Sequence, residues 1–185
     1  MTSASVTGPS RRHNRRRRFL ADENGATAVE FALVAAPFVA LLVAIIQTFI
    51  VIFAAQLLET VVTQSSRLIL TGQAQSANMT QSQFAAQVCA QVVILFNCSN
   101  LMIDVQASSA CSTANTAMPT LSFNAQGQVT NNWQFNPGTA GQVVVVRVMY
   151  QWPVFGGPLG FTLSNLSNGN RLIMASAAFQ NEPGS

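Results

Sequence analysis

A long apolar run dominates the N-terminal third of the chain. Residues 31–58 carry no charged side chain. At about 1.5 Å per residue, a helix over this run would measure roughly 42 Å, more than the ~30 Å hydrocarbon core of a bilayer. The run is apolar on all sides, which favours a membrane span over an amphipathic surface helix. We therefore predict a transmembrane helix over residues 26–58, bent at Pro37, where proline removes one backbone donor.

After this run the apolar residues become periodic. They recur at helical spacing up to Ile69, and Gly72 supplies a stop signal for the helix. Thr80 followed by Gln83 has the spacing of an N-terminal capping box, in which each side chain binds the backbone N–H of the other residue. A second, amphipathic helix is predicted to begin there, with an apolar face made of Phe84, Val88, Val92 and Leu95.

Beyond Asn100 the pattern is typical of strands separated by turns rich in glycine, asparagine and proline. The predicted strands cover residues 101–106, 120–123, 142–150 and 171–179. Helices followed by strands indicate an α+β fold. We expect a long N-terminal transmembrane helix that continues into a small extracytoplasmic domain, residues 59–185, with a second helix and an antiparallel sheet.

Charge is rare and unevenly distributed along the chain. Charged residues make up only 8% of the sequence, and residues 1–25 contain six of the nine arginines. This leader carries a net charge of +4, whereas residues 26–185 carry −1. The positive-inside rule places a basic N-terminus in the cytoplasm and the C-terminal domain across the membrane. The body lacks the basic face that nucleic-acid binding requires, so that function is not expected.

A secretory signal peptide is the main alternative for the apolar run. The apolar region of a signal peptide has about 7–15 residues and ends in a small-residue cleavage site. This run is about twice as long as that template, and no such site follows it. We therefore expect the run to remain as an anchor.

The residues that catalysis would need are almost absent. The single histidine, His13, lies in the basic leader, so no Ser–His or Cys–His pair is expected in the folded part. The four acidic residues after residue 25 are isolated from one another in sequence. We expect no enzymatic activity, no metal, no cofactor and no small-molecule substrate.

Three cysteines follow the apolar run. A domain across the membrane lies in an oxidising compartment, where one disulfide is favoured. Cys89 and Cys98 flank the end of the second predicted helix, and we favour this pairing. Cys98 with Cys111 is the rival pairing, and three buried free thiols are the remaining alternative.

Glu30 is the only charged residue between Glu23 and Glu59. A carboxylate in a membrane segment is costly and marks a functional site by default. Three interpretations remain open. Glu30 extends to the interfacial region, pairs with a group inside a helical bundle, or meets an N-terminal amine created by cleavage after Gly25.

Residues 18–33, with the sequence RFLADENGATAVEFAL, resemble the N-terminal segment of TadE-like pseudopilins of tight-adherence (Tad, type IVc) pilus systems. The resemblance continues through the apolar run and returns in several later stretches. These stretches are residues 67–75, Cys89, residues 98–105, residues 150–153 and residues 178–183. Residues 106–142 show no such similarity.

The resemblance implies that a prepilin peptidase cleaves after Gly25, leaving Ala26 as the mature N-terminus. It also implies that Glu30, followed here by Phe31, is needed for processing or assembly. The expected role is that of a minor pseudopilin in the bacterial inner membrane. Its partners would be the peptidase, other pilins or pseudopilins and the Tad secretion machinery. The alternative is an uncleaved single-pass protein whose periplasmic domain binds a partner in the envelope or the secretion machinery.

Overall fold

The structure is a computed structural model that describes residues 23–92, 94–157 and 160–183. Most of the predicted leader, up to residue 22, therefore lies outside the described residues. The described helices are α1 (Glu23–Leu70), α2 (Gln73–Ser76) and α3 (Gln81–Val92). The described strands are β1 (Leu101–Ser108), β2 (Val143–Trp152) and β3 (Arg171–Gln180). The mixed α+β class predicted from the sequence is confirmed.

The chain divides into two compact units, residues 1–43 and 44–185. The described part of the first unit is the beginning of α1. Among the described helices, the stretch Gly25–Leu70 is long and apolar enough to cross a membrane, with a mean hydropathy of 2.8 over an 18-residue window. Pro37 lies inside this helix, and the bend expected there stays a prediction.

In the second unit, the C-terminal part of α1 belongs to the hydrophobic core. One face of the helix is fully buried, at Ala54, Leu58, Val62 and Ile69. The helix ends where the sequence predicts, because Gly72 adopts a left-handed conformation with φ of 74° and its N–H binds the carbonyl of Ile69 at 3.0 Å.

The predicted capping box forms at the start of α3. The backbone N–H of Thr80 donates to Oε1 of Gln83 at 2.8 Å, and the N–H of Gln83 donates to Oγ1 of Thr80 at 3.3 Å. Two backbone donors at the helix start are thereby satisfied. The apolar face of α3 packs into the core through Phe84, Val88 and Val92.

The three strands form an antiparallel sheet in the order β1–β2–β3. Because side chains alternate along a strand, one face of β2 carries Val144, Val146 and Val148 into the core shared with the helices. The opposite face holds a smaller cluster around Met149. Side chains from the connection between β1 and β2 cover it, namely Leu121, Val129 and Trp133.

The strand predicted over residues 120–123 is wrong. Only Phe123 forms an isolated bridge, to Val129. Asn131 satisfies the neighbouring backbone instead, because its side chain accepts from the N–H of Ser122 at 2.7 Å and donates to the carbonyl of Thr120 at 2.9 Å. An asparagine side chain that binds the backbone in this way competes with a strand ladder.

Candidate functional site

The predicted cleavage position lies in the first turn of α1. The helix begins at Glu23, so the bond between Gly25 and Ala26 is already helical. Both residues are exposed. A Cβ added at Gly25 would meet nothing within 4 Å, so packing does not require glycine at this position.

Glu30 lies four residues after Ala26, and residues at this spacing share one face of a helix. Its side chain is exposed, and that of the neighbouring Phe31 is 74% exposed. Large apolar side chains that are also exposed follow on the next turns, including Leu33, Val34 and Phe38. The site is therefore one carboxylate at the start of an exposed apolar helix, next to the position that cleavage would turn into an N-terminus.

In the second unit, Cys89 and Cys98 form a disulfide with their Cα atoms 5.5 Å apart. It joins α3 to the short 3-10 turn Cys98–Asn100 that leads into β1. Cys111 is a free, exposed thiol. The structure therefore contains the pairing that the sequence favoured, and the rival pairing with Cys111 is not formed.

Replacing both Cys89 and Cys98 by serine should lower the free energy of unfolding by about 2.5–3 kcal/mol, because the denatured chain loses a cross-link that closes a loop of about ten residues. Urea unfolding of the detergent-solubilised full chain under non-reducing conditions measures the change. The matched control is Cys111→Ser, which should shift stability by no more than about 0.5 kcal/mol, as usual for a surface change. An equal loss in both proteins would contradict a stabilising role for the disulfide.

A buried ion pair that the sequence pattern did not predict links β1 and β2. Asp104 and Arg147 lie opposite each other in the strand register and are 2% and 3% exposed. The Nε atom of Arg147 donates to Oδ2 of Asp104 at 3.1 Å. The signal available in the sequence was a single charge within each of two predicted strands that are otherwise largely apolar.

This ion pair also holds the connection between β1 and β2. Oδ1 of Asp104 accepts from the backbone N–H of Gln134 at 2.9 Å, and Nη1 of Arg147 donates to the carbonyl of Ala117 at 3.0 Å. Both charged groups therefore bind backbone atoms of the same connection, which positions it over the sheet. Among the residues that the structure describes, no cluster of three or more His, Cys, Asp or Glu side chains could hold a metal ion.

Asn181 and Glu182 bind backbone carbonyls elsewhere in the domain, and Glu182 reaches the end of α1. Asn181 is 3% exposed, and its side chain donates to the carbonyl of Pro137 at 2.8 Å. The backbone N–H of Glu182 donates to the carbonyl of Leu70 at 3.1 Å. Since the last carbonyls of a helix lack partners within the helix, this bond satisfies one of them. Residues near the C-terminus thus have a structural role that the sequence pattern did not predict.

Comparison with known families gives a match for α1. The family described as TadE-like protein matches residues 25–67, which cover α1 from Gly25 almost to its end. The family resemblance seen in the sequence is confirmed over this segment. No curated protein and no solved structure matches the chain.

Proposed function

We propose that this chain, with its TadE-like segment at residues 25–67, is a minor pseudopilin that supports assembly of a Tad-type (type IVc) adhesive pilus. A prepilin peptidase cleaves it between Gly25 and Ala26. The observation that carries the proposal is the position of Glu30, four residues beyond Ala26 at the start of an exposed apolar helix. The chain acts as an assembly component and not as an enzyme.

Cleavage would give Glu30 an electrostatic partner. Ala26 would then carry an ammonium group one helical turn before the carboxylate. Either the ammonium of the same chain or that of a neighbouring subunit pairs with Glu30. Because both charges are costly in lipid, such pairing favours docking of subunits at one axial offset.

The mature protein would reside in the bacterial inner membrane as a single-pass protein. Before cleavage the arginine-rich leader faces the cytoplasm, following the positive-inside rule, and the C-terminal domain faces the periplasm. The Cys89–Cys98 disulfide supports this orientation, since disulfides persist in oxidising compartments. Other pilins or pseudopilins and the Tad secretion machinery are its partners.

The alternative function is that of an uncleaved single-pass protein whose periplasmic domain binds a partner in the envelope or the secretion machinery. One observation favours it. The bond between Gly25 and Ala26 is helical in the described chain, so a protease would have to unwind the first turn of α1 before cutting.

N-terminal sequencing of the membrane-extracted protein distinguishes the cleaved pseudopilin from the uncleaved single-pass protein. In cells with an active prepilin peptidase we expect the mature chain to begin at Ala26, and a Gly25→Val variant to keep its leader. Because a Cβ at Gly25 meets nothing in the fold, failure of the variant to be cut would reflect recognition by the peptidase.

The matched control is Ala36→Val, which places the same side chain at an exposed position further along α1 and should be cut like the unmodified chain. Recovery of the unmodified chain with its leader attached, despite an active peptidase, would support the uncleaved alternative.

A further inference from the structure

An uncharged segment rich in aromatic residues begins at Trp152, the last residue of β2. We call residues 152–157 and 160–163 the aromatic loop. The chain carries no charged residue between Arg147 and Arg171. Within the loop, Phe155 is 74% exposed and Phe161 is 37% exposed. Exposed aromatic side chains in an uncharged segment indicate a surface that contacts an apolar or interfacial environment.

The aromatic loop lies beside α1 within the second unit. Trp152 and Phe155 line an apolar cavity together with Ile50 and Val51 of the helix. Phe161 lines a second apolar groove with helix residues that include Phe49. The loop therefore lies along α1 at the level of residues 44–52.

The exposed face of α1 changes from apolar to polar just beyond residue 52. Between Leu41 and Phe53 the exposed side chains are large and apolar, as at Phe49, which is 67% exposed, and Ile52, which is 56% exposed. From Gln56 onward the exposed positions are polar, including Glu59, Thr60 and Thr63. The change from an apolar to a polar exposed surface lies between Phe53 and Gln56, close to the aromatic loop.

Hydrogen bonds hold the loop in place. Nη1 of Arg171 donates to the carbonyl of Leu163 at 3.0 Å, and the N–H of Gly157 donates to the carbonyl of Phe161 at 2.7 Å. Gly157 is also tightly packed, since an added Cβ would come within 3.1 Å of the ring of Phe161. Paired backbone groups lower the penalty of moving this part of the loop out of water.

From this geometry we propose that the aromatic loop is a membrane-docking element. It inserts Phe155 and Phe161 into the boundary between headgroups and acyl chains, in the leaflet that faces the C-terminal domain. Trp152 lies at the same interface, where aromatic residues are enriched. The membrane boundary on α1 then lies near Phe53 and not at Leu58, which is fully buried in the protein core.

Among the possible partners of the aromatic loop, its position beside the apolar part of α1 favours the lipid bilayer. The loop continues the exposed apolar surface of the same helix that forms the candidate span. Docking to the apolar part of a bilayer requires no charged side chains, and the aromatic loop contains none. This inference rests on α1 crossing a membrane, but it does not depend on cleavage at Gly25 or on pilus assembly.

Spin labels on the full chain in lipid nanodiscs test the proposal. In a Cys111→Ser background that keeps the disulfide, one label is attached at Phe155→Cys and a matched one at Ala140→Cys. Both native side chains are exposed, so neither change removes a core contact. Ala140 precedes β2, and a strand of ten residues places it roughly 30 Å from the loop end. A third label at Phe38→Cys reports insertion of the span.

We expect the label at position 155 to be several-fold more accessible to oxygen than to a water-soluble nickel reagent, as at position 38. The label at position 140 should show the reverse. Equal nickel accessibility at positions 155 and 140 would overturn the proposal. Spin–spin broadening at position 155 that disappears on dilution with unlabelled chain would assign the surface to a second copy and would also overturn it. A nickel-accessible label at position 38 would show that α1 does not cross the bilayer, and it would therefore contradict both the span and the docking of the loop.

Discussion

Replacing Arg147 by methionine should lower the free energy of unfolding by about 3–5 kcal/mol, the usual loss when one partner of a buried ion pair is removed. The reason is that Asp104, which is 2% exposed, would lose its cationic partner. Methionine keeps much of the length of the arginine side chain, so the loss reflects charge more than volume. Urea unfolding of the detergent-solubilised chain, followed by tryptophan fluorescence, measures the change.

Two further variants show whether the effect belongs to the pair. Arg67→Met removes an exposed arginine from the last turn of α1 and should lower stability by no more than about 1 kcal/mol, the upper range of a surface charge at a helix end. The double replacement Asp104→Leu with Arg147→Met should recover part of the loss, because no charge is then left unpaired. Recovery stays incomplete, since Gln134 and Ala117 lose their side-chain partners. Equal losses for Arg147→Met and Arg67→Met would contradict the assignment.

Replacing Glu30 by glutamine should abolish assembly of the protein into a pilus while leaving it in the membrane. Glutamine has nearly the same shape but no charge, so it cannot form an ion pair with an N-terminal ammonium group. Membrane residence should not fall, since the change removes a charge whose burial costs about 2.5–3.5 kcal/mol at mid-span and less near the end. Cell fractionation measures residence, and a surface-adhesion assay together with crosslinking to the pilus subunits measures assembly.

The matched control for this prediction is Glu59→Gln. It removes a carboxylate from an exposed position on the same helix, beyond the apolar run, and should assemble normally. N-terminal sequencing of the Glu30→Gln protein separates a defect in cleavage from a defect in assembly. Normal adhesion by cells that carry Glu30→Gln would contradict the pairing mechanism, whatever the state of the leader.

Local sequence signals were sufficient wherever the physical cause is also local. The capping box between Thr80 and Gln83 forms as predicted because both partners lie within one turn of helix. The end of α1 at Gly72 is equally local, since glycine adopts a left-handed conformation without steric strain. The long apolar run needed no tertiary information to be recognised as a candidate span.

Contacts between distant parts of the chain could not be predicted in this way. Asp104 and Arg147 are 43 residues apart in sequence, and only the register of β1 against β2 brings them together. The predicted strand near Phe123 also fails because of distant contacts, since Leu121 packs on a face of the sheet and Asn131 binds the neighbouring backbone. The sequence also did not determine how much of the apolar run on α1 is exposed. An apolar run has the same composition whether lipid or protein covers it.

The sequence by itself determined that this protein has a basic N-terminal segment, a long apolar helix with one acidic residue near its start, and a mixture of helices and strands after it. These features follow from charge counts and from periodicity, which depend only on neighbouring residues. Tertiary structure alone decided how the charges inside the domain are neutralised, and that residues near the C-terminus bind the end of α1. It also decided which apolar side chains the domain buries, because burial depends on surfaces that meet only after the chain has folded.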